Sequence, residues 1–486
     1  MVKPVKKENE KCYKCNRIEW IAYTTPRKIH EFIYSRRNLL AVVIISFVTY
    51  FASVGQTEII RRTLAAFVFT AGCWILEVFP LPITGLMIPL LLTLLGVFEP
   101  KEAFAPFSNQ IIFLMIGGLV LGQSVKKHGL DKLIAYNMLV YSRGSIDRLV
   151  LLAMIITGFL SMWMANTVAI AVILPVVLSI LNAIPKELSN VRIKMLLAVS
   201  ISASIGGMAM LTGSTPAMIA AAFLVQRRPF SFIDWAYYSL PVSLLSLTVA
   251  FLILKQVYPS TKIKLNIDSV IEQKKQFEHL TAQQKKVILI FSATIFLWFM
   301  GSQIEVWLGL PASISSAAIV SILAVLAMFG FNLLDLRDLQ TIQWELIFLV
   351  GGGILLGEAM IASGTAGKIS SLIASLHGLS TPIIILLLSV ISLALTNFIS
   401  NSATAAIMIP ITIETSAILG FNLVPFVVAV ALSATAAFIT PIGAPSTALV
   451  YATGEVPKRK LIKTGALIAI PVLTIIILIT LVLPTL

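Results

Sequence analysis

Charge and cysteine are both scarce in this chain. Asp, Glu, Lys and Arg make up only 12% of its 486 residues, about half their usual share in soluble domains, so a globule of this size could not be clothed in a charged surface. Three cysteines, Cys12, Cys15 and Cys73, cannot build a disulfide framework. Cys12-x-x-Cys15, with His30 as the one nearby histidine, falls short of the four ligands of a structural zinc site and reads as part of a cytosolic tail. The four histidines, at 30, 128, 279 and 377, fall in the tail, the polar loops or interfacial segments. An intramembrane enzyme would need a nucleophile with its base, or paired carboxylates, at membrane depth, and the sequence lacks both. No basic stretch is interleaved with stacking aromatics, which excludes nucleic acid as a partner despite a net charge of +14. Residues 1–37 are polar and basic and have no apolar core of the kind a cleavable secretory signal carries.

Apolar sequence is what the chain has instead. Hydrophobic residues make up 58% of it and the mean hydropathy is +0.95, so its partner is the lipid bilayer. Apolar runs recur from about residue 38 to residue 484, and at roughly 20 residues per crossing they predict an all-α polytopic membrane protein with about eleven spans and two re-entrant hairpins. The basic residues cluster at Lys126 to Arg148, Lys186 to Lys194, Lys255 to Lys286 and Lys458 to Lys463, and with a cytosolic N-terminus these segments all lie inside. Arg61, Arg62, Arg227 and Arg228 fall outside. The expected location is the cytoplasmic (plasma) membrane, an inner membrane in a bacterium with two.

Two stretches read almost as copies of each other. Ser161-Met-Trp-Met-Ala165-Asn166-Thr167 runs on to Pro175, and Thr396-Asn-Phe-Ile-Ser400-Asn401-Ser402 runs on to Pro410. The two asparagines are 235 residues apart (401 − 166), and the same offset carries Ser161 onto Thr396, Pro175 onto Pro410 and the glycines 117, 118, 122 and 129 onto 352, 353, 357 and 364. Small residues at such spacing allow close helix packing in lipid. Each polar stretch interrupts an apolar segment whose halves are too short to span alone, which predicts a hairpin with its irregular tip buried in protein or facing water. A second interruption follows in each half, at Gly206-Gly207 to Pro216 and at Thr440-Pro441-Ile442-Gly443-Ala444-Pro445. The expected organisation is a basic tail at 1–37, a first half at 38–254 with its hairpin near 149–183, a cytosolic linker at 255–284 and a second half at 285–486 with its hairpin near 381–418. Counting crossings gives the halves opposite orientations, an inverted repeat whose broken helices meet near the midplane.

Such tips suit anions. The amino end of each second arm presents N–H groups without partners and a partial positive charge, while Asn166, Thr167, Asn401 and Ser402 add neutral donors. Their side-chain oxygens, and the carbonyl ends of the first arms, are the hard ligands a small cation needs.

At these residues the chain resembles the divalent anion:sodium symporter (DASS) family, which carries dicarboxylates, citrate or sulfate. The family's Ser-Asn-Thr motif stands here as Ala165-Asn166-Thr167 and Ser400-Asn401-Ser402, and its sodium:sulfate signature is echoed by Thr435-Ala-Ala-Phe438-Ile-Thr-Pro441-Ile-Gly443. The turn Glu77-Val-Phe-Pro80-Leu-Pro82-Ile-Thr84 is similar to another family hallmark. The resemblance implies a homodimer, a scaffold domain and an elevator-like transport domain, a C4 dicarboxylate such as succinate as substrate, and sodium as the co-transported ion. Carried over by position, one sodium site would use Ser161, Ala165 and Asn166 with Gly206 or Gly207. The other would use Thr396, Ile399 and Asn401 with a carbonyl near Ile439, and substrate would contact Asn166, Thr167, Asn401, Ser402, Thr440 and Pro441. Ala165 departs from the motif by losing a hydroxyl, which predicts a weaker first sodium site. Sulfate or citrate transport, anion exchange, proton coupling through Glu358 or Glu414, ionisable groups in apolar sequence expected near the outer ends of their helices, and an anion channel remain the alternatives.

Overall fold

A computed structural model describes residues 26–142, 145–182, 188–259, 280–309, 316–374, 380–441 and 443–483. Cys12-x-x-Cys15, most of the linker and Ile442 lie outside them. Every regular element among the described residues is helical.

The first half opens with α1 (Pro26–Ala52), α2 (Glu58–Ile75) and α3 (Leu81–Leu94). Its α1 runs continuously from Pro26, so residues 26–37 of the expected tail belong to the helix of the first span. Glu77, at φ +47°, stops the chain after α2, and Pro80 and Pro82 set the start of α3. A short α4 (Pro100–Phe104) and a 3-10 turn bend by 41° into α5 (Gln110–Lys127), a kink the apolar pattern did not announce. Then come α6 (Leu130–Val140), α7 (Ile146–Trp163), α8 (Asn166–Asn182), α9 (Ser189–Ala209), α10 (Thr215–Val225) and α11 (Phe232–Val257). The second half repeats the order with α12 (Ala282–Leu308), α13 (Ala317–Gly330), the four-residue α14 (Leu336–Leu339), α15 (Glu345–Ala362) and α16 (Thr365–Ala374). It ends with α17 (Thr381–Thr396), α18 (Asn401–Leu419), α19 (Leu423–Thr435), α20 (Pro445–Tyr451) and α21 (Lys458–Val482).

Gly129 and Gly364, at φ +66° and +77° and 235 residues apart, follow the ends of α5 and α15 in the left-handed conformation that closes a helix and turns the chain into α6 and α16. Of the described helices, seven are individually long and apolar enough to cross a bilayer, and several other expected spans are apolar helices of 10–17 residues. α9 is 100% buried along its apolar window, whereas α12 is only 22% buried there and so offers most of its surface to lipid.

The offset is also a packing relation. A Cβ at Gly117 of α5 would collide with Ser321 of α13, and a Cβ at Gly352 of α15 would collide with the backbone of Gly85 in α3. Thus α5 of the first half presses on α13 of the second, and α15 of the second on α3 of the first, through glycines one repeat apart. That reciprocal exchange is what a local two-fold relation between the halves produces. On the far side of the same two helices, Gly118 and Gly122 abut Thr212 and Met164, and Gly353 and Gly357 abut Ala406, Phe223 and Pro410. The glycine rows therefore seat the first tip and its second break against α5, and α18 and α10 against α15.

Lys127, at the end of α5, pairs with Asp338 at 2.7 Å and Asp335 at 3.1 Å, anchoring α14. Burial would raise the Asp338 carboxyl, but the N–H of Asp335 and the Lys127 ammonium more than offset this and hold it below the usual carboxylate range.

Candidate functional site: two asparagine tips

α7 ends at Trp163 because Met164 turns to extended backbone (φ −138°, ψ 160°), and α8 begins at Asn166. α17 ends at Thr396 and α18 begins at Asn401. Both breaks place an asparagine on the first turn of a new helix, where its backbone N–H lacks a helical acceptor.

At the first tip, Ser161 Oγ lies 2.5 Å from Asn166 Oδ1 and 2.7 Å from Ala203 O on α9. At the second, Thr396 Oγ1 lies 2.8 Å from Asn401 Oδ1 and 2.5 Å from Ala434 O on α19. At the second tip one hydroxyl proton serves two acceptors, so three oxygens converge with a single hydrogen among them, and the first tip matches it only when the Asn166 oxygen faces inward. The inward atom of the Asn166 amide also lies 3.1 Å from Gly213 O and 3.2 Å from Ala203 O. With its N–H₂ inward, the amide donates to these carbonyls. With its oxygen inward, it completes an all-oxygen cluster of the kind that suits a cation.

The second breaks close over these tips in matching ways. Thr212 Oγ1 donates to Met162 O at 2.9 Å and Thr440 Oγ1 to Asn397 O at 2.5 Å, and the acceptors are again 235 residues apart. A Cβ on Gly213 would meet Ser161 O, and one on Gly443 would meet Thr396 O. These partners, Gly213 and Gly443, are offset by 230, so five residues have been lost or gained between tip and second break. That shift is why the offset of 235 misses them.

The site residues carried over by position divide unequally. Ser161, Asn166 and Gly207 meet, since a Cβ on Gly207 would strike Asn166 Oδ1, whereas Gly206 instead packs on the backbone of Gly158 in α7. Ala165 supplies its carbonyl to the first turn of α8, accepting from Val168 N at 2.9 Å and Ala169 N at 3.1 Å. Its counterpart Ser400 also uses its hydroxyl to cap, accepting from Ala403 N at 3.2 Å. Ile399 is buried, and Ile439 contributes its N–H, donated to Asn397 Oδ1 at 3.0 Å. The Thr440 hydroxyl is committed to a strut, donating to Asn397 O and accepting from Gly443 N at 3.1 Å. Pro441 is half-buried beside it.

Sequence reasoning passed over several residues that join the two tips. Thr215, the first residue of α10, is hydrogen-bonded to Ser402 of the other half. Gln343 Nε2 donates to Thr167 Oγ1 at 3.2 Å. Ser214 Oγ is buried without a partner, and the pairs Ser204–Ser446 at 3.1 Å and Ser200–Thr447 at 3.2 Å tie α9 to α20. Asn397, two residues into the second motif, could have been singled out for its buried amide alone. Among the described residues, every side chain hydrogen-bonded to the tips is neutral. Of the carboxylates Glu358 and Glu414, Glu358 accepts from Gln226 at 2.8 Å, just past the far end of α10. Eleven residues of helix, about 16 Å, separate it from Thr215.

A family described as "Citrate transporter" matches residues 71–421. An uncharacterized transporter of Methanocaldococcus jannaschii is 34% identical over 402 residues, covering 82% of this chain and 89% of its own. A protein named sodium-dependent dicarboxylate transporter SdcS, from Staphylococcus saprophyticus, is 25% identical over 424 residues, with 83% and 82% covered. Among solved structures, the YdaH transporter of Alcanivorax borkumensis aligns with a TM-score of 0.49 at 15% identity, covering 81% of this chain and 87% of that one.

Proposed function

Because the chain belongs to the citrate transporter family of membrane carriers, and is a transporter rather than an enzyme, we propose that it moves a divalent anion, a C4 dicarboxylate such as succinate, together with sodium ions. The observation that carries this reading is the doubled cluster in which Ser161 with Asn166, and Thr396 with Asn401, meet a carbonyl of a second broken helix, Ala203 O and Ala434 O. Sodium suits each cluster because a hard monovalent cation takes neutral oxygens. The anion would lie between the tips, held by Thr167, Ser402 and the amino ends of α8 and α18.

Charge arithmetic supports the coupling. Two helix ends contribute about half a charge each, which leaves roughly one charge of a dianion to be balanced at tips whose side-chain partners are neutral. Bound sodium supplies it, so sodium raises affinity for the anion and the anion raises affinity for sodium by the same factor. An inverted orientation of the halves, an elevator-like movement of the tips, a homodimeric assembly and a cytosolic N-terminus belong to the same proposal. Proton coupling through Glu358 is less well supported, since that carboxylate stands a helix length from Thr215.

The test is uptake of labelled succinate, citrate and sulfate into proteoliposomes with and without a sodium gradient. Succinate uptake that collapses when choline replaces sodium is the expected result. Equal succinate affinity in sodium and in choline, measured calorimetrically at fixed pH, rejects sodium coupling.

A further inference from the structure

Resting on the reading of Thr167 as an anion ligand, we propose that Gln343 is a positioning residue that turns the Thr167 hydroxyl into an obligatory donor toward the bound anion. The direction of the hydrogen bond carries the inference. With the Gln343 amide oriented as in the structure, Nε2 can only donate, so Thr167 Oγ1 accepts and its own proton must go elsewhere. Helical hydroxyls in this protein usually give that proton to the carbonyl four residues back, as Thr157 does to Ala153 O and Thr412 to Met408 O. Thr167 is the second residue of α8, behind a break in the chain, and among the described residues its hydroxyl makes no such bond. Its proton is thus left for a ligand.

The counterpart at the other tip is built differently. Ser402 is bonded to the hydroxyl of Thr215, where either oxygen can donate, so its proton direction is not imposed. One repeat before Gln343 stands Ser108, whose side chain is too short for the same reach. Among the described residues, only the first tip has an amide directing its hydroxyl.

Gln343 is also held on a stiff support. Its carbonyl accepts from Leu346 N at 3.1 Å at the start of α15, Ile342 beside it is buried, and Trp344 Nε1 donates to Leu339 O at 2.6 Å. The close approach of Gly352 to Gly85 fastens α15 to α3. The amide is therefore presented to Thr167 by elements separate from α7 and α8.

The experiment uses the purified full-length chain and calorimetric titration of succinate and citrate in saturating sodium. Gln343→Met, which keeps the side chain's length and removes the donor, should weaken anion binding about 5- to 10-fold. Thr167→Val should weaken it at least as much, and Gln343→Met should then add nothing in the Thr167→Val background, a non-additivity that a purely structural role would not produce. Gln343→Glu, which accepts instead of donating, should weaken binding further than Gln343→Met. Unchanged affinity in Gln343→Met, or losses that multiply in the double variant, would overturn the proposal. A paired-cysteine variant, Gln343→Cys with Thr167→Cys after Cys12, Cys15 and Cys73 are changed to Ser, tests the juxtaposition with no anion present. Cross-linking by a short bifunctional thiol reagent is expected, and its absence also overturns the proposal. If the pair cross-links while the unaltered chain binds none of succinate, citrate and sulfate, the anion reading itself has failed, and the role of Gln343 is rejected with it.

Discussion

Asn166 and Asn401 each touch a hydroxyl that is already shared with a carbonyl of a second broken helix, so neither amide can be replaced without taking away an oxygen the cluster cannot supply otherwise. Asn166→Ala and Asn401→Ala should each abolish uptake while the protein still folds, as judged by a sharp thermal melt. Wild-type uptake by either variant would remove the tips from the transport site. The adjacent glycines separate function from packing. Gly207→Ala directs a methyl chiefly at Asn166 Oδ1, with Gly213 O also within 3.0 Å, and should eliminate the sodium dependence of binding while a thermal melt still reports a folded protein. Gly206→Ala drives into the Gly158 backbone at closer range and should lower the yield of folded protein more. Ala165→Ser is a third case. The Ser400 hydroxyl caps its helix, so a serine at 165 should act as an N-cap and stabilise the first tip by about 0.5–2 kcal/mol. A higher melting temperature in sodium-free buffer is expected. If instead the half-effective sodium concentration falls with no change in the sodium-free melt, the hydroxyl is an ion ligand, as the resemblance alone suggested.

Among elements, the struts from Thr212 to Met162 O and from Thr440 to Asn397 O lock each second break onto the first. A buried carbonyl that loses its donor costs about 1–3 kcal/mol. Thr440→Val strips the donor from Asn397 O and the acceptor from Gly443 N, so it should destabilise more than Thr212→Val, which breaks one bond. Denaturation in detergent measures the order, and the reverse order would show that the second strut bears less of the fold than its two bonds imply. Both variants should keep the ranking of succinate over sulfate, since these hydroxyls point at backbone.

For the molecule as a whole, the orientation of the halves makes a topological statement. A cysteine placed at Lys274, in the linker, should be labelled from the cytoplasm only, and one at Ser380, before α17, from outside only. Labelling of both from the same side would contradict inverted halves, although the reciprocal packing of α5 on α13 and α15 on α3 would stand.

Helical class, membrane location, the paired tips and the glycine rows were all legible in the sequence. Each is written in local composition or in a repeat of constant offset, and residues such as Asn166 and Gly352 announce themselves by recurring. The partners of the tips were not legible. Gly213 and Gly443 fall out of register by five residues, the carbonyls of Ala203 and Ala434 carry no side-chain signature, and Thr215 and Gln343 look like ordinary polar residues beside a helix start. Which glycine faces the amide, Gly207 rather than Gly206, depends on the rotation of α9 against α7, a matter of helix packing. Sequence thus determined where backbone order would fail and which polar side chains would be buried there. Only tertiary structure decided which carbonyls and hydroxyls meet them, because those contacts join segments up to 187 residues apart, as Thr215 and Ser402 are.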